Sequence, residues 1–502
     1  MLVLAAATLV AAAVAAPLVQ LVVRVAAGDP AAVAAVVFRP RTLDLLLATV
    51  AITLATAAGA LVLGVATAWA LTRVRLPARA LWRVIACLPL ALPSFVAAFG
   101  WMSVIPGLSG PGPLVAVLVL STSPYVTVPT MAALARIDTS VGDVARTLGR
   151  PPVRAFLSVT LPQVLPAALA GTLLVALYAL SDFGAPALLR VDTLTTGIYA
   201  QFTGGFDRSL SAAMGLVLAV LAALCVAAES GARRRAGARA ALHASPPAPV
   251  TIGRGATAAI VAGLALVGVA AVAVPLAALV ARLPFAGRYA ATVPELVQAA
   301  TTTLALGAGA ALVTVLAALP VAWLGARHRT RVVAVLETLS SIGHALPGLV
   351  VALALVALTL ALAPGAYQGA AALVVAYAVL FLPKAIGSSR AAFAAVPTAL
   401  EDVARTLGDG PAAAWRRVTL VSAAPGILAG GVLVMAAVMK ELPATLMLRP
   451  IGVDTLATEL WAATSAGAYG AAAWPALLLV AVGLVPALAM AHGIRSLGED
   501  SR

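Results

Sequence analysis

Apolar runs long enough to cross a bilayer recur along this chain, and no other property narrows its fold so far. At 1.5 Å per helical residue, roughly 20 apolar residues span the ~30 Å hydrocarbon layer. Such runs occupy residues near 2–26, 45–72, 84–105, 113–135, 164–188 and 209–229, then 255–281, 298–325, 333–361, 368–389, 423–447 and 467–491. They predict an all-α polytopic membrane protein with about 12 transmembrane helices. Charged residues make up 10% of the chain, against about 25% in soluble domains. The first run ends in small residues, as a signal peptide does, but it has no basic n-region and is too long for an h-region. It is therefore expected to stay as a helix.

The charge of +14 comes almost wholly from arginine. A nucleic-acid binder gathers such residues on one face, whereas here they punctuate the apolar runs, so no nucleic-acid partner is expected. Arg73, Arg75, Arg79 and Arg83 follow the second run, Arg136, Arg146, Arg150 and Arg154 the fourth, and Arg233, Arg234, Arg235, Arg239 and Arg254 the sixth. Arg327, Arg329 and Arg331, then Arg390, Arg405, Arg416 and Arg417, repeat the pattern, and the opposite loops hold fewer. The positive-inside rule places those loops and both termini in the cytoplasm. Cys87 and Cys225 stand alone in apolar runs, and His243, His328, His344 and His492 are scattered, so neither a disulfide, a metal cluster nor a bound cofactor is indicated.

The runs fall into two related sets. "DVARTLG" occurs at 143–149 and again at 402–408. Without gaps, Pro152 then falls on Pro411, Val159 to Leu161 on Val418 to Leu420, Pro166 on Pro425, Gly171 on Gly430, Asp182 on Glu441 and Arg190 on Arg449. Upstream, at a slightly different offset, Trp69, Arg73 and Pro93 match Trp323, Arg327 and Pro347. The chain thus reads as a first half at 1–232, a polar Pro- and Ala-rich linker at 233–254, and a second half at 255–502. Each half has an even number of spans, so the two copies point the same way and are related by an axis along the membrane normal.

Each repeated phrase lies in a cytoplasmic loop, at 137–163 and 391–422, and carries its own helix signals. Ser140 with Asp143, and Thr398 with Glu401, have capping-box spacing, while Gly149 with Pro151, and Gly408 with Pro411, stop the helix. Val144 with Leu148, and Val403 with Leu407, give each short helix one apolar face. That face either rests on the protein's own surface or engages a partner that is itself a pair of similar subunits.

The phrase and its sequel resemble the coupling-loop signature of permeases of binding-protein-dependent ABC importers: Glu-Ala-Ala, three residues, Gly, nine residues, Ile-x-Leu-Pro. The first copy supplies Asp143, Val144, Ala145 and Gly149, then Leu161 and Pro162 after Val159. The second supplies Asp402, Val403, Ala404 and Gly408, then Leu420 after Val418, with Val421 where Pro is usual. That last departure suggests a different angle into the following helix. "SDFGAPALLR" at 181–190 and "MKELPATLMLRPIGVDTLATELW" at 439–461 are similar to ferric iron importer permeases of bacteria, with thiamine importer permeases as near relatives. The resemblance implies the MetI-like type I importer fold in a fused two-half form, located in the inner membrane. It also implies an extracytoplasmic binding protein and two copies of a cytoplasmic ATPase, docked through Leu148, Leu407 and their neighbours. ATP and Mg would sit on those partner subunits. In agreement, this chain has no P-loop, since neither Lys384 nor Lys440 follows a glycine-rich turn.

Asp182, Glu441 and His344 are the candidates for the translocation path, because ionisable groups at membrane depth are costly and often functional. Carboxylates there suit a hard cation such as ferric iron; equally, each can fix a break before the next "AP" or "LP". Glu337 is expected to pair at the cytoplasmic rim, and Pro89, Pro93, Gly343, Pro347 and Gly348 to interrupt their helices. Thiamine, a phosphonate or a polyamine fits the same architecture. A secondary transporter with two parallel six-helix halves is the rival class, but it has no use for two matching docking helices.

Overall fold

The computed structural model describes residues 2–137, 147–204, 208–239, 250–287 and 291–484. Among the described residues, nine helices are long and apolar enough to cross a membrane. They are α1 (Leu2–Ala26), α2 (Pro40–Arg73), α3 (Pro111–Leu134), α4 (Phe156–Ser181), α5 (Leu210–Ala232), α6 (Arg254–Phe285), α7 (Val293–Arg327), α8 (Ala370–Ala395) and α9 (Pro411–Met439). The only bridge between extended segments among the described residues is the isolated pair Val74 and Val250.

Two of the expected runs are not single straight spans. The run at 84–105 is two helices, Arg79–Ala91 and Ser94–Val104, bent by 96°. Pro93 forces the break: the residue before a proline avoids helical backbone, and Leu92 is extended at φ −92, ψ 116. The run at 333–361 breaks in the same way before Pro347, where Leu346 has φ −99, ψ 127 between helices Arg331–Ser340 and Gly348–Leu362. The last run is helix Ala473–Leu484, and its remainder lies outside the described residues.

The described chain forms two compact units, and neither is a contiguous half. One comprises residues 1–39, 198–219 and 291–463. In it α7, α8 and α9 pack on one another, and α1 lies against α7 and the helices Arg331–Ser340 and Gly348–Leu362. The other comprises residues 40–197, 220–290 and 464–502. In it α2, α3 and α4 pack together, and the Val274–Arg282 part of α6 lies on Ser94–Val104. That last contact is close: a Cβ on Gly100 would stand 2.6 Å from the Pro275 Cα, and Trp101 Nε1 donates to the Ala270 carbonyl at 3.2 Å. The sequence halves 1–232 and 255–502 describe the repeat; the compact units exchange the first helix of each half, and also residues 198–219 of the first half and the segment from 464 of the second.

Inside each unit the repeat persists at the level of side chains. One unit buries Ala68, Leu134, Ile137 and Val164 as a cluster, and the other buries Ala322, Phe393, Val396 and Ala423 with Ile427. These are corresponding positions, so the same small core closes the end of each three-helix set. Gly171 and Gly430 also act alike. A Cβ on the first would collide with the Tyr125 carbonyl of α3, and on the second with the Ser388 hydroxyl of α8.

Candidate functional site

In the first unit, Pro397 ends the extended link after α8, and the helix Thr398–Thr406 follows. Its end is a Schellman turn: Gly408 N donates to Arg405 O at 3.1 Å and Asp409 N to Ala404 O at 3.1 Å, with Gly408 at φ +99. Only glycine takes that backbone without strain. The expected capping box does not form, because Thr398 is already helical and the N-cap Pro397 accepts no side-chain bond. Glu401 turns inward instead. Its Oε1 accepts from Arg327 Nη2 at 2.8 Å and from Thr419 Oγ1 at 2.6 Å, and both members of the ion pair are nearly buried, at 13% and 12% exposure. Arg327 also donates to the Val396 carbonyl at 3.1 Å. The short helix is thereby bolted to the end of α7 and the start of α9.

That anchoring decides which face is free. Ala404 is buried with Glu401, while Leu400, Val403 and Leu407 form the opposite stripe at 46%, 56% and 83% exposure. The stripe does not rest on the rest of the unit. Asp402 is exposed beside it, 3.9 Å from Arg405.

In the second unit, Asp143, Val144 and Ala145 lie outside the described residues. Leu148 is 79% exposed, and Gly149 takes φ +81, matching Leu407 and Gly408. The next contact is matched too: Arg150 Nη1 donates to Ser158 Oγ at 3.0 Å, where the other unit pairs Asp409 with Arg417 at 2.8 Å. Both loops then enter their spans through a π turn, Phe156–Thr160 and Trp415–Thr419, at corresponding positions. Leu161 and Leu420 continue with near-identical helical backbone, at φ −58, ψ −46 and φ −67, ψ −41. The predicted difference in angle from Pro162 against Val421 is therefore not seen locally. Leu161 and Leu420 pack on the two matching core clusters.

Asp182 and Glu441 hold breaks in their helices. Asp182 follows α4 and lies beside Ser94 and the backbone of Phe183, Gly184 and Ala185; its Oδ2 is buried without a hydrogen-bond partner among the described residues. Glu441 follows α9; Oε1 accepts from Ala444 N at 2.9 Å, and Oε2 from Thr445 N at 3.0 Å and Thr445 Oγ1 at 3.0 Å. Tyr377 of α8 hydrogen-bonds the same Thr445 hydroxyl at 2.7 Å. Size is exchanged between the copies. Where Asp182 meets Ser94, the longer Glu441 meets Gly348, whose Cβ would lie 2.7 Å from Oε1. His344 sits in the 3₁₀ turn Ile342–Ala345, and its side chain lies outside the described residues. Glu337 pairs with Arg390 at 2.9 Å, as its rim position implied.

A second repeat escaped the sequence reading. "VDTL" stands at 191–194 and 453–456, displaced by the three-residue insertion Pro450-Ile451-Gly452. Thr49 of α2 accepts from Leu194 N at 2.8 Å, and Thr303 of α7 accepts from Leu456 N at 2.9 Å. The insertion hid the motif from an ungapped alignment. Beside it, burial and the charge of Glu295 push the Glu459 carboxyl up, and Arg449 offsets part of that.

Against this geometry the comparisons with known proteins are specific. The family described as "Binding-protein-dependent transport system inner membrane component" matches twice, at residues 60–230 and 315–495. The chain belongs to that family. Each match covers one loop with its positive-φ glycine and π turn, so the family's unit is the repeated half. The chain is 32% identical to the Fe(3+)-transport system permease protein FbpB 2 of Haemophilus influenzae, over 89% of this chain and 90% of that protein. It is 31% identical to the Molybdenum transport system permease protein ModB of Mycobacterium tuberculosis over 47% of this chain and 95% of that protein. A Probable molybdenum ABC transporter permease protein of Haloferax volcanii is 37% identical over 22% of this chain and 41% of that protein. This inner-membrane component is thus all-helical, multi-pass and internally duplicated.

Proposed function

We propose that this chain is the translocation subunit of an ATP-driven importer that receives ferric iron from an extracytoplasmic binding protein. Two copies of a cytoplasmic ATPase dock on the helix Thr398–Thr406 and on its counterpart around Asp143 to Leu148, one copy per half. The observation that carries the docking is the apolar stripe Leu400, Val403 and Leu407, held outward by Glu401, Arg327 and Thr419. A face so firmly aimed away from its own unit is suited to a partner's groove. The Glu401 and Arg327 bond passes motion of the docked helix directly to α7. This chain is the moving part and does not hydrolyse ATP; ATP and Mg belong to the partner. The arginine-rich loops put both docking helices and both termini on the cytoplasmic side. Ferric cargo rests on the relative from Haemophilus influenzae, which covers nearly the whole chain. Asp182 and Glu441 keep the break that follows α4 and α9, and so shape the path through the way the helices end.

Tagged chain purified with its ATPase tests the docking. Leu148→Asp or Leu407→Asp places a charge where an apolar contact of about 1.5–3 kcal/mol is lost, so association falls roughly tenfold or more. Membrane insertion stays as in wild type. Unchanged association in both variants, or iron uptake by reconstituted vesicles without ATP, would overturn the reading.

A further inference from the structure

α3 runs from Pro111 to Leu134, just before the docking loop of the second unit, so its start marks the opposite end of that unit. There the C-terminus of α6 and the turn after Ser94–Val104 enclose a cavity of about 220 Å³, lined by Phe99, Met102, Ser103, Arg190, Arg282 and Tyr469. Its walls are fixed. Tyr469 stacks on Phe99 with ring centroids 6.0 Å apart, and a Cβ on the adjoining Gly470 would collide with the Phe285 carbonyl of α6. Gly110 N donates to Leu189 O at 2.9 Å, which fastens the turn carrying Arg190, and Arg282 Nη2 donates to Ser103 O at 3.2 Å. Among the described residues no carboxylate pairs with either arginine. Two guanidinium groups thus share one concave site without a counter-charge.

Arg190 holds a backbone that favours glycine. It stands at φ +55 in a Schellman turn, where Arg190 N donates to Ala187 O at 3.3 Å and Val191 N to Pro186 O at 2.9 Å. Glycine there would carry no strain, so arginine is kept at this position for its side chain. Its counterpart Arg449 is unstrained at φ −60, and its guanidinium is occupied: it pairs with Asp454 and donates to Val453 O at 3.2 Å. In the "VDTL" repeat Asp454 corresponds to Asp192, but Asp192 accepts instead from Arg41 of α2 at 2.7 Å. At the spacing that pairs Trp69 with Trp323, Arg41 falls on Glu295. Arginine in place of glutamate there draws Asp192 away. Arg190 is left at the cavity without the carboxylate that its counterpart holds.

We infer that this cavity is a carboxylate-binding site, in which Arg190 and Arg282 receive the acid group that Asp454 supplies internally in the other copy. A guanidinium offers paired donors to two carboxylate oxygens, and Phe99, Met102 and Tyr469 accommodate the carbon body behind them. By the loop charges the site is extracytoplasmic. The acid is therefore a dissolved organic acid or an aspartate or glutamate of the extracytoplasmic binding protein; the second source rests on the importer reading above. The full chain assembled with its ATPase in detergent tests both, by calorimetric titration with succinate and citrate and by association with the binding protein. Affinity in one of these arms falls about tenfold in Arg190→Gln and in Arg282→Gln, the loss of one charge-assisted contact, and Arg190→Lys keeps part of it. A fall in the acid titration marks a dissolved acid, and a fall confined to the binding protein marks a partner side chain. Arg190→Gly relieves the strained turn, so it melts no lower than wild type and yet loses the binding, which separates a lost ligand from a lost fold. Titrations and binding-protein association that are the same in wild type, Arg190→Gly and Arg282→Gln overturn the inference and leave the importer reading standing. A binding protein that never associates with the wild-type complex counts against the importer reading instead, and the acid titration alone then decides the site.

Discussion

Glu401 meets three demands with one carboxylate: it neutralises Arg327, receives the Thr419 hydroxyl and fixes the rotation of the docking helix. With the pair nearly buried, removing one partner strands the other charge. Glu401→Ala is expected to cost about 3 kcal/mol, seen as a lower melting temperature in detergent, and to weaken ATPase association. The double change Arg327→Met with Glu401→Met should recover most of the melting temperature but not the association, because an apolar pair packs yet does not orient the helix. Equal loss in the single and double variants would remove the ion pair from the explanation. The sequence placed Glu401 in a capping box because local spacing allows it. Its real partner is 74 residues away, a distance at which spacing carries no signal. Ser94 with Asp182, and Gly348 with Glu441, make the same point. Asp182, Glu441 and Gly348 were conspicuous alone and Ser94 was not, and the exchange of one side-chain length becomes visible only when both sites are built.

Among elements, the long spans were legible because hydropathy reports burial in lipid directly, and the docking helix because Gly408 and Pro411 punctuate it. The breaks at Leu92 and Leu346 were legible only as interruptions, since an apolar run looks the same straight or bent through 96°. The π turns left no trace in composition. They nevertheless explain why Pro162 and Val421 are interchangeable. A π turn widens the helix and pairs Leu161 N with Phe156 O, and Leu420 N with Trp415 O, so the following residue can lack its N–H and its ring avoids the preceding turn. Val421→Pro should therefore change stability by less than about 1 kcal/mol, whereas Val432→Pro, in regular helix of α9, should cost about 3 kcal/mol or more. Comparing the two melting temperatures decides it. Similar losses would mean that the wide turn does not accommodate the ring.

At the scale of the whole molecule, the repeat was readable and the exchange of first helices was not. α1 and α6 are apolar nearly all round, so hydropathy says that they cross the membrane but not which neighbours they choose. Shape decides that: Gly100 opens room for Pro275 in one unit, and in the other Ala7, Ala11, Val14 and Leu21 of α1 are buried among second-half helices. Tight approach of small residues is what holds helices together in lipid, where there is no hydrophobic gain from leaving water. It follows that the linker is not what joins the halves. Cutting the chain between Arg239 and Val250 and co-expressing the pieces should yield a complex that survives detergent purification through a tag on either piece. α1 of the first piece belongs to the unit built mostly from the second, and α6 of the second to the unit built mostly from the first. Deleting residues 2–26 from the first piece should reduce recovery of the second more than truncating the loose ends of the cut linker does. If the cut pieces part in detergent with α1 present, the exchanged helices contribute too little to hold the halves, and the covalent linker carries that task.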